Sequence, residues 1–305
     1  MPKVEVINFT KDYGYGRGVF DISFNIDEGE VFGFLGPNGS GKSTTIRHLM
    51  GFSKPDKGLT RILGLDSFKY YYKFMDKVGY LPGEIAVPEG LNGYEFLDMM
   101  KKLKKAKDQK WIDYLREVFE LDLCGEIKRM SLGDKRKLAV VTAFMNDPEI
   151  LILDEPTSGL DLATQQVFIE FIKNEKKRGK TILLSSHIFS EVDVTCDRIA
   201  IIKEGKIVNE FVAKDLKHSK NKNYLVEFNS REDLNEFLAE NSNNQFKIVS
   251  RENNRIIINI DDNHINSLIY ALSRSKFKGF NHLKETLEEY FMKYYKEDKD
   301  FGGVA

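Results

Sequence analysis

Gly36-Pro37-Asn38-Gly39-Ser40-Gly41-Lys42-Ser43-Thr44 has the spacing G-x-x-x-x-G-K-[ST]. The chemistry open to such a stretch is holding a polyphosphate. Its glycines let backbone N–H groups turn inward around phosphate oxygens. Lys42 brings a point charge to the β- and γ-phosphates, and the Ser43 hydroxyl is a ligand type for Mg2+. A helix opening at this point adds the positive end of its dipole. Alone, the stretch means nucleoside triphosphate binding and names no nucleotide.

A second group of residues offers the complementary chemistry. Ile150-Leu151-Ile152-Leu153 is apolar throughout and ends in Asp154-Glu155-Pro156. A buried strand ending in Asp places a carboxylate at its carboxyl end, where open α/β sheets bind ligands. Asp154 there can hold Mg2+ through water, and Glu155 can orient and polarise an attacking water.

These residues need strands to carry them. Val4, Val6 and Ile7 begin one strand, and Ile22, Phe24 and Ile26 alternate in the next. Val31–Leu35 is apolar on both faces and runs into the Gly-rich loop, with a helix expected over about Ser43–Gly51. Residues 93–123 show helical spacing on two segments, separated by Lys101–Lys110 with six lysines, which reads as a solvated helical face. Strands alternating with helices predict an α/β core around a mostly parallel sheet.

Lys217–Asn223 reads as a linker, and the pattern beyond it changes. Strands are expected at Tyr224–Phe228, Phe246–Ser250, Arg255–Ile260 and Phe277–Phe280. Helices are expected at Glu232–Ala239, His264–Ser273 and Leu283–Tyr295. The order β-α-β-β-α-β predicts a small ferredoxin-like accessory domain.

The bulk properties narrow the function classes. The 305 residues suit one large or two unequal domains. Charge is balanced, at a net −1, so no nucleic-acid partner is expected. No apolar run approaches the roughly 20 residues that span a bilayer. The N-terminus lacks a signal-peptide core, and a cytosolic protein is expected. Cys124 and Cys196 make neither a disulfide framework nor a metal site.

Over residues 3–215 the chain resembles the nucleotide-binding subunits of ABC transporters. The phosphate loop and acid strand are shared with many NTPases, but three further segments are more specific. Met130-Ser131-Leu132-Gly133-Asp134 stands where the family carries its signature, usually Leu-Ser-Gly-Gly-Gln. Ser131 and Gly133 fit the pattern, while Leu132 and Asp134 depart from it. Ser158-Gly159-Leu160-Asp161 looks like the family's D-loop, and Ser185-Ser186-His187 its switch histidine. Tyr13 matches the aromatic that stacks on adenine, with Tyr15 as its rival, which implies ATP. Gly83, in Tyr80-Leu81-Pro82-Gly83-Glu84, stands where the family usually has Gln; Glu84 follows one residue on.

The resemblance implies a P-loop NTPase of ABC type: a mixed sheet with helices over residues 1–216, a helical subdomain at about 84–145, and an accessory domain over 217–305. Lys42, Glu155 and His187 become the expected catalytic residues and Ser43 and Asp154 the metal ligands. ATP would be held by Tyr13, by Gly36–Thr44, and by Ser131, Gly133 and Asp161. The expected partners are a second ATP-binding subunit, identical or a paralogue, and a separate transmembrane permease that holds the protein at the inner face of the membrane. The tail, with amphipathic Leu287–Met292, resembles that of bacterial drug-efflux subunits and implies export. The alternatives are a soluble ABC ATPase outside transport or a weakly hydrolysing regulatory cassette.

Overall fold

The computed structural model describes residues 2–86, 88, 90–217, 221–241, 246–283 and 286–296. The chain divides into two compact units, Met1–Ala213 and Lys214–Ala305.

The first unit contains two sheets. Strands β1 (Val4–Asp12), β2 (Gly18–Ile26), β4 (Lys57–Ile62) and β5 (Leu65–Asp66) form an antiparallel sheet in the order β2-β1-β4-β5. Strands β3 (Val31–Leu35), β6 (Val78–Leu81), β7 (Ile150–Asp154), β8 (Thr181–Ser186), β9 (Arg198–Lys203) and β10 (Lys206–Val212) form a mixed sheet in the order β10-β9-β3-β8-β7-β6. Only the β9–β10 hairpin is antiparallel there. Every residue of β3, β7 and β8 is buried, as central parallel strands covered on both faces require. The alternation in β2 turns Ile22, Phe24 and Ile26 inward. Phe24 stacks on Phe32 of β3 with ring centroids 5.0 Å apart, tying the two sheets into one core.

Helix α1 (Lys42–Leu49) follows β3, and the short α2 (Ser67–Tyr70) follows β5. Between β6 and β7 lie α3 (Gly93–Leu103), α4 (Gln109–Val118) and α5 (Leu132–Phe144). Asn92 and Glu95 close a capping box at the start of α3. The lysine-rich run is not one solvated helical face. Helix α3 stops at Leu103, Lys105 turns left-handed at φ 52°, and Asp108 starts α4 by accepting Trp111 N–H at 3.1 Å. Burial pushes the Lys104 ammonium below its ordinary value. Helices α6 (Leu162–Lys177) and α7 (Phe189–Thr195) complete the run, and α8 (Ala213–Lys217) starts at the unit's last residue and belongs otherwise to the second unit.

The second unit comprises β11 (Asn221–Phe228), α9 (Arg231–Glu240), β12 (Lys247–Glu252), β13 (Arg255–Asp261), α10 (Ile265–Ser273), β14 (Phe277–Leu283) and α11 (Leu287–Lys296). Its antiparallel sheet has the order β12-β13-β11-β14. Phe228, Phe237 and Ile258 lie in its own core. The expected linker at 217–223 falls partly on 218–220, outside the described residues, and from Asn221 the chain is strand. Leu283 belongs to β14, paired with Asn223, and does not open the last helix. Thr286 does: its hydroxyl accepts Glu289 N–H at 3.1 Å, and the Glu289 carboxylate accepts Thr286 N–H at 3.0 Å.

Candidate active site

The site lies at the carboxyl ends of β3, β7 and β8. The Gly36–Thr44 loop leaves β3 with Gly36 N–H donating to Ser186 O at 3.3 Å. A Cβ on Gly36 would meet Ile202 O at 2.5 Å, so no other residue fits without a shift. Gly39 and Gly41 adopt φ of 81° and 111°, a conformation that favours glycine. Pro37, Asn38 and Gly39 form an exposed crest, and Ser40 turns inward. Gly41 is the N-cap of α1 and no side chain caps that end. The first-turn N–H groups there are donors of the kind that bind phosphate. Ser43 is exposed in that turn, and Thr44 O meets His48 Nδ1 at 2.7 Å.

Lys42 reaches back across the loop with its side chain only 5% exposed. Its ammonium donates to Gly36 O at 2.5 Å and Pro37 O at 3.2 Å. It also pairs with Glu155 Oε1 at 3.0 Å. The other Glu155 oxygen meets His187 Nδ1 at 2.7 Å. Glu155 itself is left-handed at φ 48°, a conformation that costs a non-glycine residue about 1–2 kcal/mol. Its N–H donates to Ser185 O at 3.0 Å and lies 3.3 Å from Ser185 Oγ, which anchors the turn to β8. Lys42, Glu155 and His187 therefore form one continuous line of contacts.

Asp154 is buried beside them, with Oδ1 accepting the Ser185 hydroxyl at 2.5 Å. Gly83 lies toward Oδ2: a Cβ there would stand 3.1 Å from that oxygen. A hydroxyl, a carboxylate and a cradle that a side chain would fill suit a hard dication such as Mg2+.

The remaining expected residues are positioned by neighbouring segments. Ser131 caps α5, its hydroxyl accepting Asp134 N–H at 3.0 Å and donating to the Asp134 carboxylate at 2.7 Å. Gly133 faces Gly159 O, 3.4 Å from where its Cβ would be. Asp161 caps α6 by accepting Thr164 N–H at 2.9 Å, and these bonds hold its carboxyl below the ordinary value. The Ser131 and Asp161 segments thus adjoin each other. The structure brings together Lys42, Asp154, Glu155 and His187, but the hydroxyl of Ser131 and the carboxylate of Asp161 bond within their own turns. Tyr13 is 56% exposed in a turn closed by its N–H on Arg17 O at 2.8 Å. That turn leads to Gly18-Val19, where the Val19 methyl would lie 2.7 Å from a Cβ on Gly41. Tyr15 is fully exposed.

The ABC transporter family model matches residues 19–158. The chain is 32% identical over 302 residues to the uncharacterized ABC transporter ATP-binding protein YhcH of Bacillus subtilis (strain 168), covering 97% of each. It is 34% identical to the Nod factor export ATP-binding protein I of Paraburkholderia xenovorans (strain LB400), covering 69% of this chain and 71% of that one. This chain belongs to the ABC transporter ATP-binding proteins. A solved ATP-binding subunit of an ABC transporter superposes with a TM-score of 0.63 at 28% identity, covering 70% of this chain and 91% of that one.

Two residues of this ABC subunit went unread in its sequence. Arg136, buried in α5, donates from Nε to Ser158 O at 3.0 Å, from Nη1 to Pro82 O at 2.8 Å and from Nη2 to Gly83 O at 2.6 Å. It ties α5 to the segments around Gly83 and Ser158. Its signal was an arginine on the face that also carries buried Val140 and Ala143. Glu191 is the other, buried in α7 beside the His187 segment. The departures from the family pattern also have places. Gly83 leaves room beside Asp154, and Leu132 lays its side chain against Gly159, where a Cβ would stand 2.8 Å from Leu132 Cγ.

Proposed function

We propose that this chain is the ATP-hydrolysing subunit of an export-type ABC transporter, working on a substrate that a separate membrane permease selects. The observation that carries this reading is the line Lys42–Glu155–His187, at 3.0 and 2.7 Å, across the ends of β3, β7 and β8. Lys42 and the Gly36–Thr44 loop bind the β- and γ-phosphates, and Tyr13 stacks on the adenine. Glu155 orients and polarises the attacking water. His187 fixes the Glu155 carboxylate and meets the γ-phosphate. Ser43 and Asp154 would hold Mg2+, which supplies positive charge to the phosphate oxygens when bound.

Ser131, Gly133 and Asp161 serve the ATP of a second subunit, identical or a paralogue. Two exposed leucines beside them, Leu132 at 63% and Leu162 at 80%, support a surface that a partner covers. ATP binding closes the pair and hydrolysis reopens it. Among the described residues no helix is long and apolar enough to cross a membrane, so the permease supplies the path and holds the pair at the inner face. Export follows the Nod factor export relative. Glu155→Gln should bind ATP without hydrolysing it and elute from size exclusion as a dimer when ATP is present. Elution as monomer alone would contradict a sandwich of two identical chains.

A further inference from the structure

Glu191 stands near the start of α7 with 2% of its surface exposed. Its Oε2 accepts two hydroxyls, Thr157 Oγ1 at 2.9 Å and Ser186 Oγ at 3.0 Å. Ser186 Oγ itself accepts Ile188 N–H at 2.9 Å, which leaves its proton free to donate to Glu191. Thr157 lies two residues after Glu155, and Ser186 immediately precedes His187. Glu191 therefore grips both segments whose side chains meet at 2.7 Å in the Glu155–His187 contact. Its other oxygen, Oε1, is buried and has no hydrogen-bond partner among the described residues.

We infer that Glu191, in its protonated form, is a positioning residue that ties the Thr157 segment to the Ser186 segment and so holds Glu155 against His187. This rests on the reading of Glu155 and His187 given above. An ionised Glu191 would place charge on a buried oxygen that no donor faces, whereas the neutral acid still accepts both hydroxyls on Oε2. Burial pushes its carboxyl up to about 7, the Glu155 charge adds in the same direction, and the two hydroxyls pull the other way. The elements packed on α7 bring little opposing charge. Strand β3 carries no titratable side chain, and Lys176 of α6 is paired with Asp197 at 2.5 Å. The buried Cys196 thiol after α7 is itself pushed up to about 12.

The sign follows from the raised value. The stabilisation from neutral Glu191 is complete below the ordinary carboxyl value of 4.5 and is lost as pH rises through about 7. Above that the ionised acid disfavours the tie. The test is steady-state phosphate release by the full chain with ATP and Mg2+, from about pH 6 to about pH 8.5, for wild type, Glu191→Gln and Glu191→Ala, with thermal melts of each. Glutamine is neutral and can accept both hydroxyls, so it should keep kcat within about twofold at the acid end and lack the wild type's decline above neutrality. Alanine should lower kcat about tenfold with little change in the KM for ATP.

A Glu191→Gln profile that falls with pH as the wild type does would overturn the inference, as would wild-type kcat in Glu191→Ala. Where the alanine variant fails to melt cooperatively, the glutamine profile decides. Glu155→Gln measured alongside separates the two levels. Turnover that survives that change refutes the reading of the site, whereas turnover lost there and untouched in Glu191→Ala refutes only the tie.

Discussion

Arg136 holds three carbonyls from two separate segments with one guanidinium. Burial pushes its pKa down, and the charges of Asp154 and Glu155 oppose that. No carboxylate touches it among the described residues, so its work is done through the backbone of Pro82, Gly83 and Ser158. Replacing it with methionine would strand three half-buried carbonyls. Arg136→Met should destabilise the chain by about 3 kcal/mol, read as a lower urea midpoint, and should slow hydrolysis because the Gly83 backbone beside Asp154 loses its support. An unchanged midpoint would refute this account of the residue. The contrast with Lys42, Asp154 and Glu155 shows what sequence can reveal about a site. Those residues follow apolar strands in a fixed local spacing, so their placement is legible from neighbours in the chain. Arg136 acts on segments 22 to 54 residues away, and Glu191 joins nearby Ser186 to Thr157, 34 residues away, so the fold supplies the distant partners.

At the level of elements, the site depends on how closely α7 lies on β3. Gly33, mid-strand in β3, is the contact: a Cβ there would meet a Val192 methyl at 2.8 Å and Cys196 Sγ at 2.9 Å. Gly33→Ala should therefore push α7 outward and cost about 1–3 kcal/mol of stability by overpacking. Since α7 begins just after His187, the same change should lower kcat; denaturant titration and phosphate release on one preparation check both effects. Strands β3 and β7 were legible because each is a short apolar run stopped at once by turn-forming residues, Gly36-Pro37 and Asp154-Glu155-Pro156. The lysine-rich run between α3 and α4 was not, because its break depends on Lys105 turning left-handed and on the Asp108 cap, not on periodicity. The start of α11 was likewise set by the Thr286–Glu289 capping box, while the apolar Leu283 was claimed by β14.

For the whole molecule, the residues proposed to handle ATP run from Tyr13 to His187 and all lie in the first unit. The second unit has a core of its own, built from Phe228, Phe237 and Ile258 among others. Its β-α-β-β-α-β order could be read along the chain, but the central pairing of β11 with β13 could not, since register between distant strands is a tertiary property. Likeness to YhcH extends over both units, with 97% of each chain covered. The ATP chemistry proposed for the first unit is tested most directly within the intact protein, by phosphate release from ATP and Mg2+ by the full chain beside its Lys42→Ala variant. The wild type should turn over at least about tenfold faster, since the ammonium is the charge proposed to meet the transferring phosphoryl group. Equal rates for the two would contradict the assignment of this chain as an ATP-hydrolysing subunit.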